Sequence, residues 1–186
     1  MLAANIPKPG SLLISDPFLQ DPNFSRTVVL ICEHQPAGSF GLVLSQPMNL
    51  LLSDIVPAAP DLQLPVLCGG PVANDTLHFI HRKPDLLQDS IRLKGDIAWN
   101  GNFFQIIQYL QSGKMEESDI LFFLGYSGWG EGQLMQELQE KTWITAEISN
   151  ELLFKTAPTK RWQNALLALG GEYAEMVNYP INPQLN

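Results

Sequence analysis

The sequence predicts an α+β (mixed α/β) domain in which a mixed sheet packs against helices. Strand-like apolar runs recur through the first hundred residues, at 11–15, 27–33, 40–45, 66–72, 76–82 and 90–99. Helical periodicity appears later, at 103–110, 134–138 and 162–169, and strand-like runs recur at 119–124 and 143–149. Strands that come first and mix with helices only afterwards are not typical of a regularly alternating, doubly wound fold.

Capping and stop residues predict where the first helices begin and end. A short helix is expected over 51–56, directly before a proline that cannot continue it. The apolar residues of 103–110 recur at helical spacing, with Asn100 or Asn102 placed to cap the helix and Gly113 placed to end it. The sequence therefore predicts two helices here, separated by strands.

The two later helices carry their own signals. The helix over 134–138 has an apolar stripe, and Glu137 and Lys141 have the i,i+4 spacing of a favourable ion pair. The last amphipathic helix is expected to end at Gly170 and Gly171.

Length and composition predict one domain. The chain has 186 residues, of which 45% are hydrophobic, enough to bury one sizeable core. We expect residues 1–186 to form a single domain that has room for a small α/β subdomain around 50–100. The N-terminal residues lack the apolar region of a signal peptide, and no apolar run reaches the ~18 residues of a membrane span. Cys32 and Cys68 lie in strand-like runs and do not make a disulfide framework, so a cytoplasmic protein without a membrane partner is expected.

The charge of the chain argues against nucleic acid as a partner. The formal net charge is −8 and the isoelectric point is near 4.7. Long-range electrostatics therefore oppose non-specific binding to nucleic acid or to anionic membranes. The segments 81–83 and 155–161 are the two short basic clusters that could form a local exception.

The stretch GYSGWGEGQL, residues 125–134, follows a strand-like run and precedes a helix-like one. As a nucleophile elbow it fails, because Trp129 stands where the second glycine of Gly-x-Ser-x-Gly must let the helix approach Ser127. As a phosphate loop it fails, because Glu131 stands where a lysine should meet the phosphate. We therefore expect a strand-to-helix turn in which Tyr126 and Trp129 pack the loop down.

The histidines and cysteines do not predict a metal site, a cofactor or a catalytic set. His78 and His81 have a spacing that places them on opposite faces of a strand, and no Cys-x-x-Cys or His-Glu-x-x-His spacing occurs. His34 ends a strand-like run, and every histidine precedes Ser127, contrary to the usual elbow order. Cys68 precedes a Gly-Gly-Pro turn and has no electropositive neighbour in sequence that would activate it.

Several long motifs, in order along the chain, resemble the AlgH/YqgE family of bacterial proteins. They are FSRTVVLICEHQPAGSFGLVLSQP at 24–47, CGGPV at 68–72, GYSGWGEGQLMQEL at 125–138, Trp143, and LLFKTAPTKRW at 152–162. The resemblance implies a complex, bifurcated mixed sheet that is partly barrel-like, with helices packed outside. It implies a small soluble protein with no settled activity and no established cofactor, although some members are described as transcriptional regulators.

The chain departs from the family pattern at two places. Ser127 stands where alanine is common, which argues against a nucleophile at that position. Ser45 and Gln46 stand where an asparagine and a basic residue are more usual before the proline, so any ligand contact made there is expected to differ.

The leading functional hypothesis is a non-catalytic regulatory or interaction-mediating protein that binds a protein or a small-molecule ligand. Glu33 and Gln133 could supply hydrogen bonds, Tyr126 and Trp129 a stacking wall, and the glycines a close backbone approach. The predicted binding residues are Glu33, His34, Gly69, Gly70, Tyr126, Trp129 and Gln133. Arg26 and Arg161 are alternative contacts for an anion.

Two other classes of function stay open from the sequence. A hydrolase using Ser127 or Cys68 predicts a histidine within hydrogen-bond reach of one of them. A DNA-associated transcriptional regulator predicts a contiguous basic face.

Overall fold

The computed structural model describes residues 6–181. Within them ten strands form one sheet. The strands are β1 Ser11–Ser15, β2 Val28–Gln35, β3 Gly38–Val43, β4 Pro47–Leu51, β5 Pro65–Cys68, β6 Val72–His81, β7 Ile91–Lys94, β8 Ile97–Trp99, β9 Ile120–Gly130 and β10 Trp143–Glu147. The α-helices are α1 Leu52–Ile55, α2 Phe103–Gln111, α3 Gln133–Gln139, α4 Arg161–Leu169 and α5 Gly171–Glu175. A π-helical turn spans Glu151–Lys155, and 3₁₀ turns span Glu117–Asp119, Pro158–Lys160 and Met176–Asn178.

Strand β9 is the point at which the sheet divides. The main strand order is β10-β1-β2-β3-β9-β6-β8-β7, and β5, which carries β4, pairs parallel to β9. The first half of β9, 120–124, pairs with β5 and β6, whereas its last part, 127–130, pairs with β3. This division confirms the bifurcated mixed sheet that the family resemblance implied.

The sheet curls until its two ends meet. Lys94 of β7 forms an ion pair with Glu147 of β10, and the Asn150 side chain donates a hydrogen bond to Asp96 beside them. Gly10 packs against the backbone of the strand that contains Lys94, where a Cβ atom would lie 3.2 Å from a carbonyl oxygen. The result is a half-barrel, as expected for a partly barrel-like sheet.

Each longer helix covers one part of the sheet through an apolar stripe. Ile106, Ile107 and Leu110 of α2 are buried against the β6–β9 region, α3 packs beside Trp129, and α4 packs in the core cluster of β1 and β2. The side chain of Asn102 caps α2 by accepting a hydrogen bond from a backbone amide, as predicted.

Three parts of the chain differ from the sequence prediction. The run 90–99 forms two strands instead of one, because β7 and β8 pair antiparallel around a turn at Gly95 and Asp96. The segment 125–130 is not a turn, because β9 continues through it and the turn comes only at Glu131 and Gly132. The segment is extended because it pairs with β3 along Gly38–Gly41. Strand β4 was not predicted; it forms an exposed edge whose only partner in the described sheet is β5.

No helix within residues 6–181 combines the length and the hydropathy that crossing a bilayer requires.

Candidate functional site

The predicted binding residues lie on both faces of the sheet around β3 and β9. Residues that oppose each other directly in antiparallel strands share a face. Glu33 is opposite Phe40, and the ring of Phe40 stacks on Tyr126 with centroids 4.5 Å apart. Glu33 and Tyr126 therefore belong to the same face.

His34, Trp129 and Gln133 belong to the other face. His34 is opposite Ser39, and Ser39 is opposite Trp129. Trp129 packs against α3, and the side-chain oxygen of Gln133 accepts a hydrogen bond from the Gly130 amide at 3.0 Å. The structure thus brings Trp129 and Gln133 together and separates them from Tyr126 by the thickness of the sheet.

An aromatic cluster surrounds His78 on the Tyr126 face. The imidazole centroid lies 5.1 Å from Phe40, 6.1 Å from Tyr126 and 6.3 Å from Trp99. Burial lowers the pKa of His78, so the ring is neutral at pH 7. Neither ring nitrogen of His78, nor the indole nitrogen of Trp99, has a hydrogen-bond partner among the described residues.

Gly69 joins three strands. Its amide donates to the carbonyl oxygen of Leu124 at 2.8 Å, and its carbonyl oxygen accepts from the Val43 amide at 2.8 Å and from the Ser127 hydroxyl at 3.2 Å. A Cβ atom on Gly69 would lie 2.2 Å from the carbonyl oxygen of Gly125. The backbone groups of Gly69 are therefore used inside the sheet.

Gly70, in the turn after β5, and Gly125, in β9, allow the backbones of these two segments to approach closely. Gly70 has φ +149°, and a Cβ atom there would lie 2.3 Å from the carbonyl group of Tyr126. Gly125 has φ +70°, and its Cβ atom would lie 2.7 Å from the Gly70 carbonyl oxygen. The glycines of this motif thus bring β9 against the turn after β5.

Neither candidate nucleophile has the surroundings of a catalytic residue. Ser127 is fully buried, and its hydroxyl hydrogen bonds to the Gly69 carbonyl. The thiol of Cys68 lies 3.7 Å from the Gly70 carbonyl oxygen. The Ser127 hydroxyl and the Cys68 thiol therefore hydrogen bond to backbone carbonyl groups of the Gly69–Gly70 turn rather than to a general base.

The other two histidines, His34 and His81, hydrogen bond to groups other than Ser127 and Cys68. Nδ1 of His34 lies 2.7 Å from Ser39 Oγ, and Nε2 of His81 lies 2.9 Å from the Asn100 carbonyl oxygen. Burial lowers the pKa of His81, although the Asn100 contact opposes this shift. Among residues 6–181, no three His, Cys, Asp or Glu side chains are placed to hold a metal ion. The described residues therefore contain no pair of nucleophile and base at Ser127 or Cys68.

Most of the positively charged side chains in the two basic segments, 81–83 and 155–161, interact with groups of the same chain. Arg82 and Lys83 lie 2.6 and 3.2 Å from the buried carboxylate of Asp119. Lys155 pairs with Glu151 at 3.0 Å.

Arg26 and Arg161 also have internal roles. The guanidinium of Arg161 is buried and donates to backbone carbonyl oxygens. Arg26 lies over the ring of Trp162 at 4.9 Å and donates to the carbonyl oxygen of Tyr179. Both side chains thus stabilise the packing of the C-terminal helices.

A carboxylate held by two tryptophans is the most distinctive polar feature of the Trp129 face. Oε2 of Glu137 accepts hydrogen bonds from the indole nitrogens of Trp129 at 2.9 Å and Trp143 at 2.7 Å. Oε1 of Glu137 accepts from the Gln133 amide at 2.9 Å. Three N–H groups therefore fix this carboxylate in one position.

These groups line an open cavity of about 280 Å³, which we call the indole pocket. Its lining residues are Leu19, Asp21, Phe24, Gly128, Trp129, Gln133, Glu137, Thr142 and Trp143. Strand β9 places Trp129, α3 places Gln133 and Glu137 one helical turn apart, and β10 places Trp143 opposite them. The pocket is therefore built mostly on regular elements, with loops supplying the Leu19–Phe24 side and Thr142.

Sequence reasoning missed Glu137 as a site residue. The predicted ion pair with Lys141 is wrong: Lys141 lies beyond the end of α3 with φ +61°, and Glu137 binds the two indoles instead. The available signal was a pair of tryptophans, Trp129 and Trp143, on either side of a helix with a central glutamate. No signal in the sequence placed Asp21 beside them.

Comparison with known proteins identifies the family. The AlgH-like family model matches residues 12–174 of the chain. A UPF0301 protein of Cytophaga hutchinsonii is 42% identical over 178 residues, which cover 95% of this chain and 98% of the relative. A UPF0301 protein of Chlorobium limicola is 39% identical over 179 residues, which cover 96% of each chain.

Two solved structures have the same fold. The solution structure of the AlgH protein from Pseudomonas aeruginosa has a TM-score of 0.73 at 28% identity and covers 92% of this chain and 94% of its own. A crystal structure of a Corynebacterium diphtheriae protein has a TM-score of 0.78 at 19% identity and covers 94% of both chains. From the match of the family model over most of its length and from these relatives, the chain belongs to the AlgH-like family.

Proposed function

We propose that this protein is a non-catalytic regulatory or interaction-mediating protein of the bacterial cytoplasm, and that it acts by binding a ligand or a partner at the indole pocket. The observation that carries the proposal is the fixed carboxylate of Glu137. Its oxygens are held by the Trp129 and Trp143 indoles and by Gln133. A carboxylate held in this way is preorganised for binding, and the part of the chain that the structure describes places no nucleophile–base pair beside it.

The shape and the lining of the pocket support the same function. It is open to solvent, and its walls include apolar side chains such as Leu19 and Phe24 next to a few polar groups. A concave pocket in which a small number of fixed polar groups can orient a bound molecule is typical of specific binding sites. Neither Ser127 nor Cys68 is among its lining residues.

Native mass spectrometry of the protein purified from the organism that encodes it tests the proposal. The wild-type protein is expected to carry an additional mass in a fixed ratio. The Phe24→Ala variant is expected to lose that mass, because Phe24 forms a wall of the pocket. The matched control is Phe104→Ala, which removes a phenylalanine that is 85% exposed on α2 and should keep the bound mass.

Two outcomes would contradict the proposal. One is an identical set of bound masses on wild-type protein and on Phe24→Ala. The other is chemical conversion of the recovered ligand during prolonged incubation with the pure protein, which would make the protein an enzyme.

A further inference from the structure

We propose that the indole pocket recognises an organic cation, namely the ammonium or guanidinium end of an alkyl chain. This inference rests on the proposed function, since it names the ligand class of the same pocket. It follows from the charges, the hydrogen-bond inventory, the aromatic walls and the volume of the pocket.

The pocket carries negative charge without an internal counter-ion. Asp21 and Glu137 are both lining residues, whereas lysine, arginine and histidine are absent from the lining. Within residues 6–181 no lysine, arginine or histidine nitrogen forms an ion pair with either carboxylate. The three donors to Glu137 are neutral N–H groups, which orient the carboxylate but leave its charge.

The hydrogen-bond inventory favours a donor as the ligand. The indole N–H groups of Trp129 and Trp143 are both used on Glu137, and the Gly130 amide is used on Gln133. An anion entering the pocket would therefore meet two carboxylates and few free donors. Both carboxylates can accept further hydrogen bonds, because an ionised carboxylate offers about four acceptor sites. Asp21 uses one of these sites, on Oδ1, for the Asn23 backbone amide.

Three aromatic rings line the same pocket. Phe24 lies 6.4 Å from Trp129 and 5.6 Å from Trp143 between ring centroids, and the two indoles are 6.2 Å apart. The face of an aromatic ring carries negative potential, and tryptophan attracts cations most strongly. Aromatic rings and carboxylates in one cavity therefore favour a cation with an apolar stem.

The volume of the pocket limits the size of the ligand. Its 280 Å³ lies just below the range of about 300–1,000 Å³ that is typical of drug-sized ligands. It suits the end of a lysine or arginine side chain, or a small free amine. Both sources present the same cationic group on an alkyl stem.

The test is a titration followed by the indole N–H signals of Trp129 and Trp143 in ¹H–¹⁵N NMR spectra. The probes are n-butylammonium and N-propylguanidinium, with butanoate and 1-butanol as matched anionic and neutral controls. Saturable shifts of both indole signals are expected with the two cations and not with the two controls. Blocked lysine tripeptide and 1,4-diaminobutane then distinguish a protein side chain from a free amine by which binds more tightly.

A charge variant provides the second arm. Asp21→Asn removes one exposed carboxylate of the pocket and is expected to weaken n-butylammonium binding roughly threefold, the size of an exposed ion pair. Asp61→Asn removes an exposed carboxylate in the loop after α1 and should leave the affinity unchanged.

The inference is overturned if butanoate or 1-butanol shifts the indole signals as much as the cations do, or if Asp21→Asn binds n-butylammonium as tightly as wild type. Absence of cation binding, together with a host ligand that depends on Phe24, would remove this inference and leave the proposed function intact. A host ligand that does not depend on Phe24 would remove the proposed function itself.

Discussion

The guanidinium of Arg161 joins separate parts of the chain inside the core. Nε donates to the carbonyl oxygens of Leu152 and Thr156, Nη1 to that of Leu44 and Nη2 to that of Leu153. These acceptors belong to the π-helical turn, to the residue that follows it and to the residue directly after β3. Burial lowers the pKa of Arg161 to about 10, so the side chain is charged at pH 7.

Replacing the planar guanidinium of Arg161 with an ammonium group should lower the stability of the protein. Arg161→Lys keeps the charge but cannot reach all four acceptors, because an ammonium lacks the planar geometry of guanidinium. We expect the free energy of unfolding in urea to fall by about 3 kcal/mol, since buried acceptors are left unpaired. Lys160→Ala, next in the chain and exposed, should change it by less than about 0.5 kcal/mol. Equal effects of the two substitutions would show that the carbonyl contacts contribute little.

The buried histidines should make stability depend on pH. Burial lowers the pKa of His78 and of His81 below 6.5. The unfolded state therefore binds protons more readily, so the stability is complete above pH 6.5 and falls as the pH drops below it. The loss per histidine is at most about 1.4 kcal/mol per pH unit.

Urea unfolding at two pH values, about 7.5 and 5.5, measures this effect above the range in which carboxylates titrate. His78→Phe should show a weaker decrease than wild type, because one of the two histidines is gone. A stability that is constant across this interval, or an unchanged decrease in His78→Phe, would contradict the neutral state of the buried ring.

At the scale of elements, the junction of β3, β5 and β9 depends on Gly69. An added Cβ would lie 2.2 Å from the carbonyl oxygen of Gly125, which is backbone and cannot rotate away. We expect Gly69→Ala to lower the free energy of unfolding by about 3 kcal/mol, the upper end of ordinary overpacking costs. Thermal or urea unfolding measures it.

Gly128 is the matched control in the same motif. A Cβ there would meet only the ring of Tyr126, at 3.4 Å, and the backbone of Gly128 has no positive φ. Gly128→Ala should therefore leave stability unchanged or raise it by a few tenths of a kcal/mol, through the unfolded state. If Gly69→Ala were tolerated equally well, the junction could not be as tight as the geometry indicates.

The same motif shows what the sequence can predict about elements. The apolar periods around Ile106 and Leu166 predicted α2 and α4, because such patterns depend on local chain geometry alone. The extension of β9 through 125–130 was not predictable, because Gly125, Gly128 and Gly130 have no side chains and hide the alternation of a strand. Only the pairing with β3 fixes that segment as extended.

The candidate site was predictable by residue type and not by arrangement. Trp129 and Gln133 could be selected because a ring that can stack and an amide that can hydrogen bond both occur in a glycine-rich segment. That Tyr126 faces the opposite side follows from the extended register of β9, which the sequence did not reveal. Glu137 was hidden because its partners Trp129 and Trp143 lie on two different strands.

At the scale of the whole molecule, the net charge of −8 opposes the binding of nucleic acid. The positions of the positive charges add to this effect. Arg82 and Lys83 contact Asp119, and Lys155 contacts Glu151. The most basic segments of the sequence are therefore partly neutralised inside the folded chain.

This distribution predicts that the protein does not bind DNA, even though some family members are described as transcriptional regulators. Fluorescence anisotropy of a labelled duplex should show no binding at about 50 mM salt, where non-specific phosphate contacts are strong. A protein with a basic face would bind under these conditions and lose affinity steeply by about 200 mM salt. Such a steep loss would contradict the prediction, and its disappearance in Lys83→Glu would locate the face beside Asp119. With no binding at low salt, a regulatory role would have to act through a protein or a small ligand, the kind of partner that the indole pocket is proposed to bind.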